Sequence, residues 1–178
     1  MQPILDDLDA LIAEFDGSLS PLDDAQLDAA PADGGWTPRQ ILGHLVLTAR
    51  LYDERMQAKI AARPKAPAAT GKPHKTGWFP AMLLKWLPDA AKRFKAPKLF
   101  DPTRTDERFD VAGLLAAHRS LRETAAQIDA LGLERVKFGT PVSRLLRMSL
   151  RDGVTVQVAH GRRHLAQIRR VAGLDAAA

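Results

Sequence analysis

Two segments in the first third of the chain repeat apolar residues at the three- and four-residue spacing of an amphipathic helix. The first predicts a helix over residues 3–16, with Gly17 as its stop signal. The second predicts a helix over residues 38–62, which ends before Pro64 because proline disfavours helical geometry in the preceding residue. The stretch between them, residues 21–35, is interpreted as a connection.

Two further segments show the same periodicity in the second half of the chain. One predicts a helix over residues 111–131, with Gly132 as its C-terminal cap. The other predicts a helix to residue 172 that opens at Ser149, with Asp152 three residues later as a variant of the capping box. Four long helices and no strand pattern predict an all-α fold, a four-helix bundle.

The start of the second helix is the most clearly marked point in the sequence. Thr37 is a preferred N-cap residue, Pro38 suits the first helical position, and Gln40 completes a capping box with Thr37. Trp36 precedes the cap and is placed to pack on Ile41 as a hydrophobic staple.

The segment from residue 64 to residue 108 differs from the rest of the chain. It holds seven of the twelve prolines and ten Lys and Arg residues against four acidic ones, a local net charge of +6, whereas the remaining residues have a net charge of −1. We interpret it as a basic, proline-rich insertion between helices two and three, with one short helix near residues 80–94. The whole chain, residues 1–178, is then a single helical domain, as its length favours.

Composition restricts the possible chemistry and location. The 178 residues include no cysteine, so disulfides, thiolate metal sites and a cysteine nucleophile are excluded, and the strong metal ligands that remain are His, Asp and Glu. There is no run of about 18 apolar residues, and the N-terminus carries acids where a signal peptide needs basic residues. We expect a cytoplasmic protein without a membrane partner.

Two histidines near the end of the chain, His160 and His164, are four residues apart in the last predicted helix. They therefore lie on one face, roughly 6 Å apart along the axis, within reach of one metal ion. The spacing alone more often marks an exposed or core pair. Both histidines flank the apolar stripe of their helix, which suits either a surface pair or a polar cavity in the bundle.

A third histidine, His44, lies on the inward face of the second helix, where a lone histidine is more often a packed core residue. However, residues 36–45 (WTPRQILGHL) and residues 160–168 (HGRRHLAQI) together resemble the two signature helices of the DinB-like superfamily. The resemblance extends over residues 36–56 and 149–172. It implies a four-helix bundle of the DinB/YfiT type in which His44, His160 and His164 bind one divalent metal ion.

Three imidazoles on Zn²⁺ or Ni²⁺ leave a coordination position open, as in catalytic more than structural sites. The superfamily includes transferases of low-molecular-weight thiols such as bacillithiol, a mycothiol-dependent isomerase and metal-dependent hydrolases. The resemblance therefore implies a thiol transferase or hydrolase acting on a small molecule, with a low-molecular-weight thiol as one candidate cosubstrate. The alternative is a metal-binding helical protein without catalysis, and a homodimer is left open.

Several other residues have positions that allow a role near the histidines. His118 lies on the inward stripe of the third helix and is either a packed histidine, the favoured interpretation, or a further ligand or partner of the site. Gln157 and Gln167 share the face of the histidines and could orient a ligand's free ring nitrogen. Arg162 and Arg163 are expected to face solvent or an acidic helix, and His74 is assigned no role.

The lysines of the insertion and its aromatic residues Trp78, Phe79 and Trp86 allow a third interpretation. Basic charge interleaved with aromatic side chains is typical of surfaces that bind nucleic acid or another polyanion. Such segments are more often simply solvated, with the aromatic residues packed on the core. A basic polyanion-binding module is therefore the least favoured function, and nucleic acid is not the expected partner.

Overall fold

The computed structural model describes residues 1–32, 34–67, 73–88 and 95–174. Its elements in chain order are α1 (Gln2–Leu19), α2 (Asp24–Asp28), α3 (Pro38–Ala61), α4 (Trp78–Trp86), two 3-10 turns (Lys98–Phe100 and Pro102–Arg104), α5 (Val111–Ala130), β1 (Lys137–Gly139), β2 (Arg147–Ser149) and α6 (Leu150–Val171). No helix among the described residues is both long enough and apolar enough to cross a membrane.

The long helices α1, α3, α5 and α6 form the predicted four-helix bundle. Both α1 and α3 pack against α5 and α6, so α5 and α6 lie between them. The core contains fully buried side chains from all four helices, among them Leu8, Phe15, Leu42, Met56, Leu114, Leu121, Val154 and Leu165.

The predicted start of α3 is confirmed in detail. The Thr37 hydroxyl oxygen accepts a hydrogen bond from the Gln40 amide, and the Gln40 side chain accepts one from the Thr37 amide. The helix ends at Ala61, one residue before the predicted end. Arg63 follows with a φ of 47°, a left-handed conformation that cannot continue a helix.

The predicted end of α1 at residue 16 is wrong. The helix continues through Gly17 to Leu19, whose side chain is fully buried. Burial of one more apolar side chain outweighs the weak helix propensity of glycine, which costs about 1 kcal/mol relative to alanine. Gly17 is therefore an internal helical residue.

The short helix α2 and the hairpin of β1 and β2 were not predicted. The connection after α1 contains α2, whose five residues begin at a capping box between Asp23 and Gln26. After α5, strands β1 and β2 pair antiparallel, with Lys137 opposite Ser149. Each strand has only three residues, too few for an alternating pattern to be visible in the sequence.

The short helix of the insertion, α4, begins two residues before its predicted start. It ends at Trp86, and residues 89–94 of the prediction lie outside the described part of the chain. Phe79 and Leu83 pack against the core, whereas the Trp78 side chain is 75% exposed. One face of α4 therefore covers the bundle and the other faces outward.

Polar contacts attach the insertion to α6. His74 Nε2 lies 2.8 Å from Asp152 Oδ1, and the Gly77 amide donates to Asp152 Oδ2 over 3.4 Å. Further along, Arg163 Nη1 donates to the Leu87 carbonyl oxygen over 2.7 Å. Ser149 caps α6 as predicted, since its hydroxyl oxygen accepts a hydrogen bond from the Asp152 amide. The Asp152 carboxylate, which was predicted to complete a capping box, accepts hydrogen bonds from the insertion. His74, assigned no role from the sequence, is thus a structural link.

Candidate metal centre

Three histidines meet where α3 faces α6. One nitrogen from each of His44, His160 and His164 lies within 4.8 Å of the other two. The ring centroids are 5.0 Å apart for His44 and His160, 4.9 Å for His44 and His164, and 4.5 Å for His160 and His164. In the described ranges this is the one group of three or more His, Cys, Asp or Glu residues close enough to hold a metal ion.

A glycine next to His44 allows its helix to pack closely. A Cβ atom on Gly43 would lie 2.4 Å from Cδ2 of Phe109, so only glycine leaves room for that ring. Gly161 does the same beside His160, where a Cβ atom would lie 2.6 Å from Cδ2 of Leu11. These close contacts help to fix the positions of α3 and α6, and therefore of the histidines on them.

The ring of His44 is oriented by the insertion. Its Nδ1 lies 2.8 Å from the main-chain oxygen of Phe100, which can only accept, so Nδ1 carries the proton and Nε2 has a free lone pair. The Trp36 ring lies against it, with centroids 5.2 Å apart. His44 is buried, and its free nitrogen points into the cluster towards His160.

The ring of His164 is oriented by its own helix. Its Nδ1 donates to the side-chain oxygen of Gln167, 2.8 Å away and one turn later, which leaves Nε2 as the free nitrogen. A hydrogen bond of this kind typically fixes the tautomer of a metal-binding histidine. Gln167 thus hydrogen-bonds to the ring of His164, whereas Gln157 is buried and makes no hydrogen bond to a histidine ring among the described residues.

His160 shows why the cluster fits a cation. Its Nε2 lies 3.1 Å from Nε2 of His44, and its Nδ1 is buried without a hydrogen-bond partner. Because Nε2 of His44 carries a lone pair, this short distance requires either a proton on Nε2 of His160 or a metal ion bound by both nitrogens. Two imidazole nitrogens on one tetrahedral zinc ion, each at about 2.0–2.1 Å, lie roughly 3.3 Å apart. The spacing of this pair thus suits two ligands of one divalent metal ion, and the nitrogen of His164 lies within 4.8 Å of both.

The electrostatic environment favours neutral rings, the form that binds metals. Burial lowers the pKa of His44, although the Phe100 carbonyl acts in the opposite direction. Burial and the neighbouring histidines lower the pKa of His160 well below its ordinary value, and burial lowers that of His164 to about 3. All three side chains are therefore neutral at pH 7.

The remaining candidates lie outside the cluster. His118 is a packed histidine as favoured: it is 1% exposed, its Nδ1 donates to the Leu114 carbonyl oxygen, and its ring meets Phe15 edge to face. Arg162 pairs with Asp7 on α1, the acidic helix that was expected. Arg163, for which solvent or an acidic helix was expected, instead donates to a carbonyl of the insertion.

Two contributors to the site were missed from the sequence. The Phe100 carbonyl is a main-chain group, so no side-chain pattern marks it. Asp101 follows it, and its carboxylate acts on His44 through space, favouring the charged form of that ring. The hydroxyl and amide of Thr103 hold this carboxylate in place and lower its pKa. Both belong to the insertion.

Comparisons with known proteins agree with this architecture. The family model described as the DinB superfamily matches residues 7–168. Among solved structures, the chain is similar to YfiT from Bacillus subtilis, described as a probable metal-dependent hydrolase with an unusual four-helix bundle topology. The TM-score is 0.60 at 21% sequence identity, covering 98% of this chain and 87% of that chain. No curated protein matches the sequence. At this identity the structural likeness shows the fold.

Proposed function

This chain belongs to the DinB superfamily, and on that premise we propose that it is a metal-dependent enzyme whose His44, His160 and His164 hold one divalent ion. One observation carries the proposal. One nitrogen from each of His44, His160 and His164 lies within 4.8 Å of the other two, and in His44 and His164 an acceptor occupies Nδ1 and leaves Nε2 free. The donor set is three neutral imidazoles without thiolate, which suits Zn²⁺ or Ni²⁺.

Three protein ligands leave a coordination position for a reactant. A divalent ion there supplies a Lewis acid and lowers the pKa of a bound water or thiol, which gives a nucleophile near neutral pH. Other groups of the chain orient the histidine side chains. The Phe100 carbonyl and the Gln167 side chain fix the rings of His44 and His164, and Trp36 covers one side of His44.

We place hydrolysis of a small molecule first and thiol transfer second. Hydrolysis needs no cosubstrate, and the solved structure of similar fold is described as a probable metal-dependent hydrolase. Transfer of a low-molecular-weight thiol would use the same open position with a sulfur nucleophile. Among the described residues, the group that could hold a metal ion contains no carboxylate and no fourth histidine, so both reactions depend on activation of the nucleophile by the metal ion.

Turnover by metal-loaded protein tests the proposal. Wild type, His160→Ala and His118→Gln are compared on a panel of activated esters and amides, and on an electrophile with a thiol. Activity in the wild type and in His118→Gln but not in His160→Ala, with helical content unchanged by circular dichroism, supports the enzyme. Full metal occupancy without turnover on either panel, or a rate that survives in His160→Ala, contradicts it and favours a non-catalytic metal-binding protein.

A further inference from the structure

A cluster of cationic side chains lies at the other end of α3 from the histidine cluster. A cleft of about 310 Å³ opens between the C-terminal half of this helix and the hairpin of β1 and β2. Its lining includes five cationic side chains and no acidic one: Arg55, Lys59, Lys137, Arg144 and Arg147. Arg55 is eleven residues beyond His44, which corresponds to roughly 16 Å along the helix. The cleft is therefore separate from the histidine cluster.

Protein contacts do not neutralise these charges. None of the ion pairs formed within the described ranges involves any of the five side chains. Like charges around one concavity repel each other, so folding alone gives no reason for the arrangement. A bound anion would remove the repulsion and form charge-assisted hydrogen bonds with several side chains at once.

The walls of the cleft are held in place. Phe138, in the middle of β1, is buried against the core, where it meets Tyr52 edge to face. In the hairpin, the Thr140 amide donates to the Leu146 carbonyl oxygen over 3.0 Å. A Cβ atom on Gly139 would lie 2.9 Å from the Cα atom of Arg144, so the turn folds back closely on this glycine. The cations are thus presented by a fixed scaffold.

From the convergence of these five side chains we infer that the cleft between α3 and the hairpin is a binding site for a phosphate-bearing anion with at least two adjacent negative charges. The volume lies at the small end of ligand pockets, which span about 300–1,000 Å³. The charges surround one depression, which suits a compact diphosphate group more than an extended nucleic-acid strand. A free phosphate compound and a lipid headgroup offer the same chemistry, and Leu145, which follows Arg144 in the hairpin, is 92% exposed.

Calorimetric titration of the full chain with inorganic pyrophosphate tests the inference. We expect saturable binding that weakens as salt is raised, and a Kd at least tenfold higher in Lys137→Ala/Arg147→Ala. The control is Arg119→Ala/Arg170→Ala, which removes the same charge from exposed positions on α5 and α6. His164→Ala should bind as the wild type does, which excludes chelation of a metal at the histidines.

Flotation with phosphatidylcholine vesicles containing phosphatidic acid, whose phosphomonoester headgroup can carry two negative charges, distinguishes the lipid source. Vesicle binding that is reduced in the cleft variant and in Leu145→Asp identifies a lipid headgroup, and pyrophosphate binding alone identifies a free ligand. Either result supports the site. The inference is overturned if neither pyrophosphate nor vesicles bind, or if the cleft variant binds as tightly as its control. Loss of the pyrophosphate signal in His164→Ala, or binding of a single-stranded oligonucleotide alone, would also overturn it.

Discussion

The main-chain oxygen of Phe100 lies 2.8 Å from Nδ1 of His44, although 56 residues separate them. The bond makes the insertion part of the candidate metal centre, because it decides which nitrogen of His44 is free. His74 and Leu87 attach the same insertion to α6, the helix that carries the other two histidines. The insertion therefore links α3 and α6, the two helices that contain the three histidines.

The hydrogen bond from His164 to Gln167 should contribute to metal affinity. In Gln167→Leu the ring loses its acceptor, and we expect the affinity for Zn²⁺ to fall about 10–100-fold, as is typical when a partner of a ligating histidine is removed. Gln167→Glu keeps an acceptor and should retain affinity. Competition with a chromophoric chelator measures both.

Gln127→Leu, an exposed substitution on α5, is the matched control. Gln167→Leu binding as tightly as wild type, or an equal loss in the control, would show that this hydrogen bond does not orient a ligand.

Close packing at Gly43 makes it intolerant of a side chain. In Gly43→Ala the new methyl group would meet the buried ring of Phe109 at 2.4 Å, and overpacking of this kind costs about 1–3 kcal/mol. Gly17→Ala is the control, because a Cβ atom there has no neighbour within 4 Å and lies within α1. It should stabilise the protein by up to about 1 kcal/mol. Urea unfolding measures both, and the reverse order of stability would refute the packing argument.

The buried ring of His118 should make stability depend on pH. Burial lowers its pKa to about 4 in the folded protein, whereas the unfolded chain has the ordinary value of about 6.5. Between these values only the unfolded state takes up a proton, so stability is lost as the pH falls from about 6.5 to about 4. The loss from this residue is of the order of 3 kcal/mol.

His118→Gln removes that proton uptake while keeping a donor for the Leu114 carbonyl. Urea unfolding with a chelator present, at intervals from pH 4 to pH 7, should therefore give a shallower dependence in the variant. Parallel curves would mean that His118 is not held neutral by burial.

The contact between His74 and Asp152 should protect residues 73–77 of the insertion from proteolysis. A hydrogen bond to a charged group contributes about 1.5–3 kcal/mol, so His74→Ala should speed tryptic cleavage after the exposed Lys75 by fivefold or more. Thr76→Ala, an exposed neighbour, is the control. Mass spectrometry of the fragments gives the rates, and equal cleavage in both variants would argue that this contact does not hold the segment.

Periodicity predicted the long helices because each buries a wide apolar stripe, and the cap at Thr37 fixed the start of α3 to the residue. Local signals failed where tertiary packing decided the outcome, as at Gly17, where burial of Leu19 extends α1. The three-residue strands β1 and β2 are pairing partners through their main chains and are too short to show a pattern.

The histidine cluster was predicted because two short motifs carry all three side chains, and Gln167 shares their face. The Phe100 carbonyl could not be predicted, since a main-chain acceptor carries no sequence signal. The basic cleft was missed for a different reason. Its cations are spread from Arg55 to Arg147, outside the segment that holds the excess charge in the sequence, and only folding brings them together.

Elemental analysis of protein purified without a metal-affinity tag tests the central claim most directly. Wild type, His44→Ala and His164→Ala are compared, with His118→Gln as a histidine control outside the cluster. We predict about one equivalent of zinc, nickel or another divalent ion in wild type and in His118→Gln, and its loss in the two ligand variants. Wild type that holds no metal, even after incubation with excess Zn²⁺ or Ni²⁺, would contradict the assignment of the three histidines as a metal site.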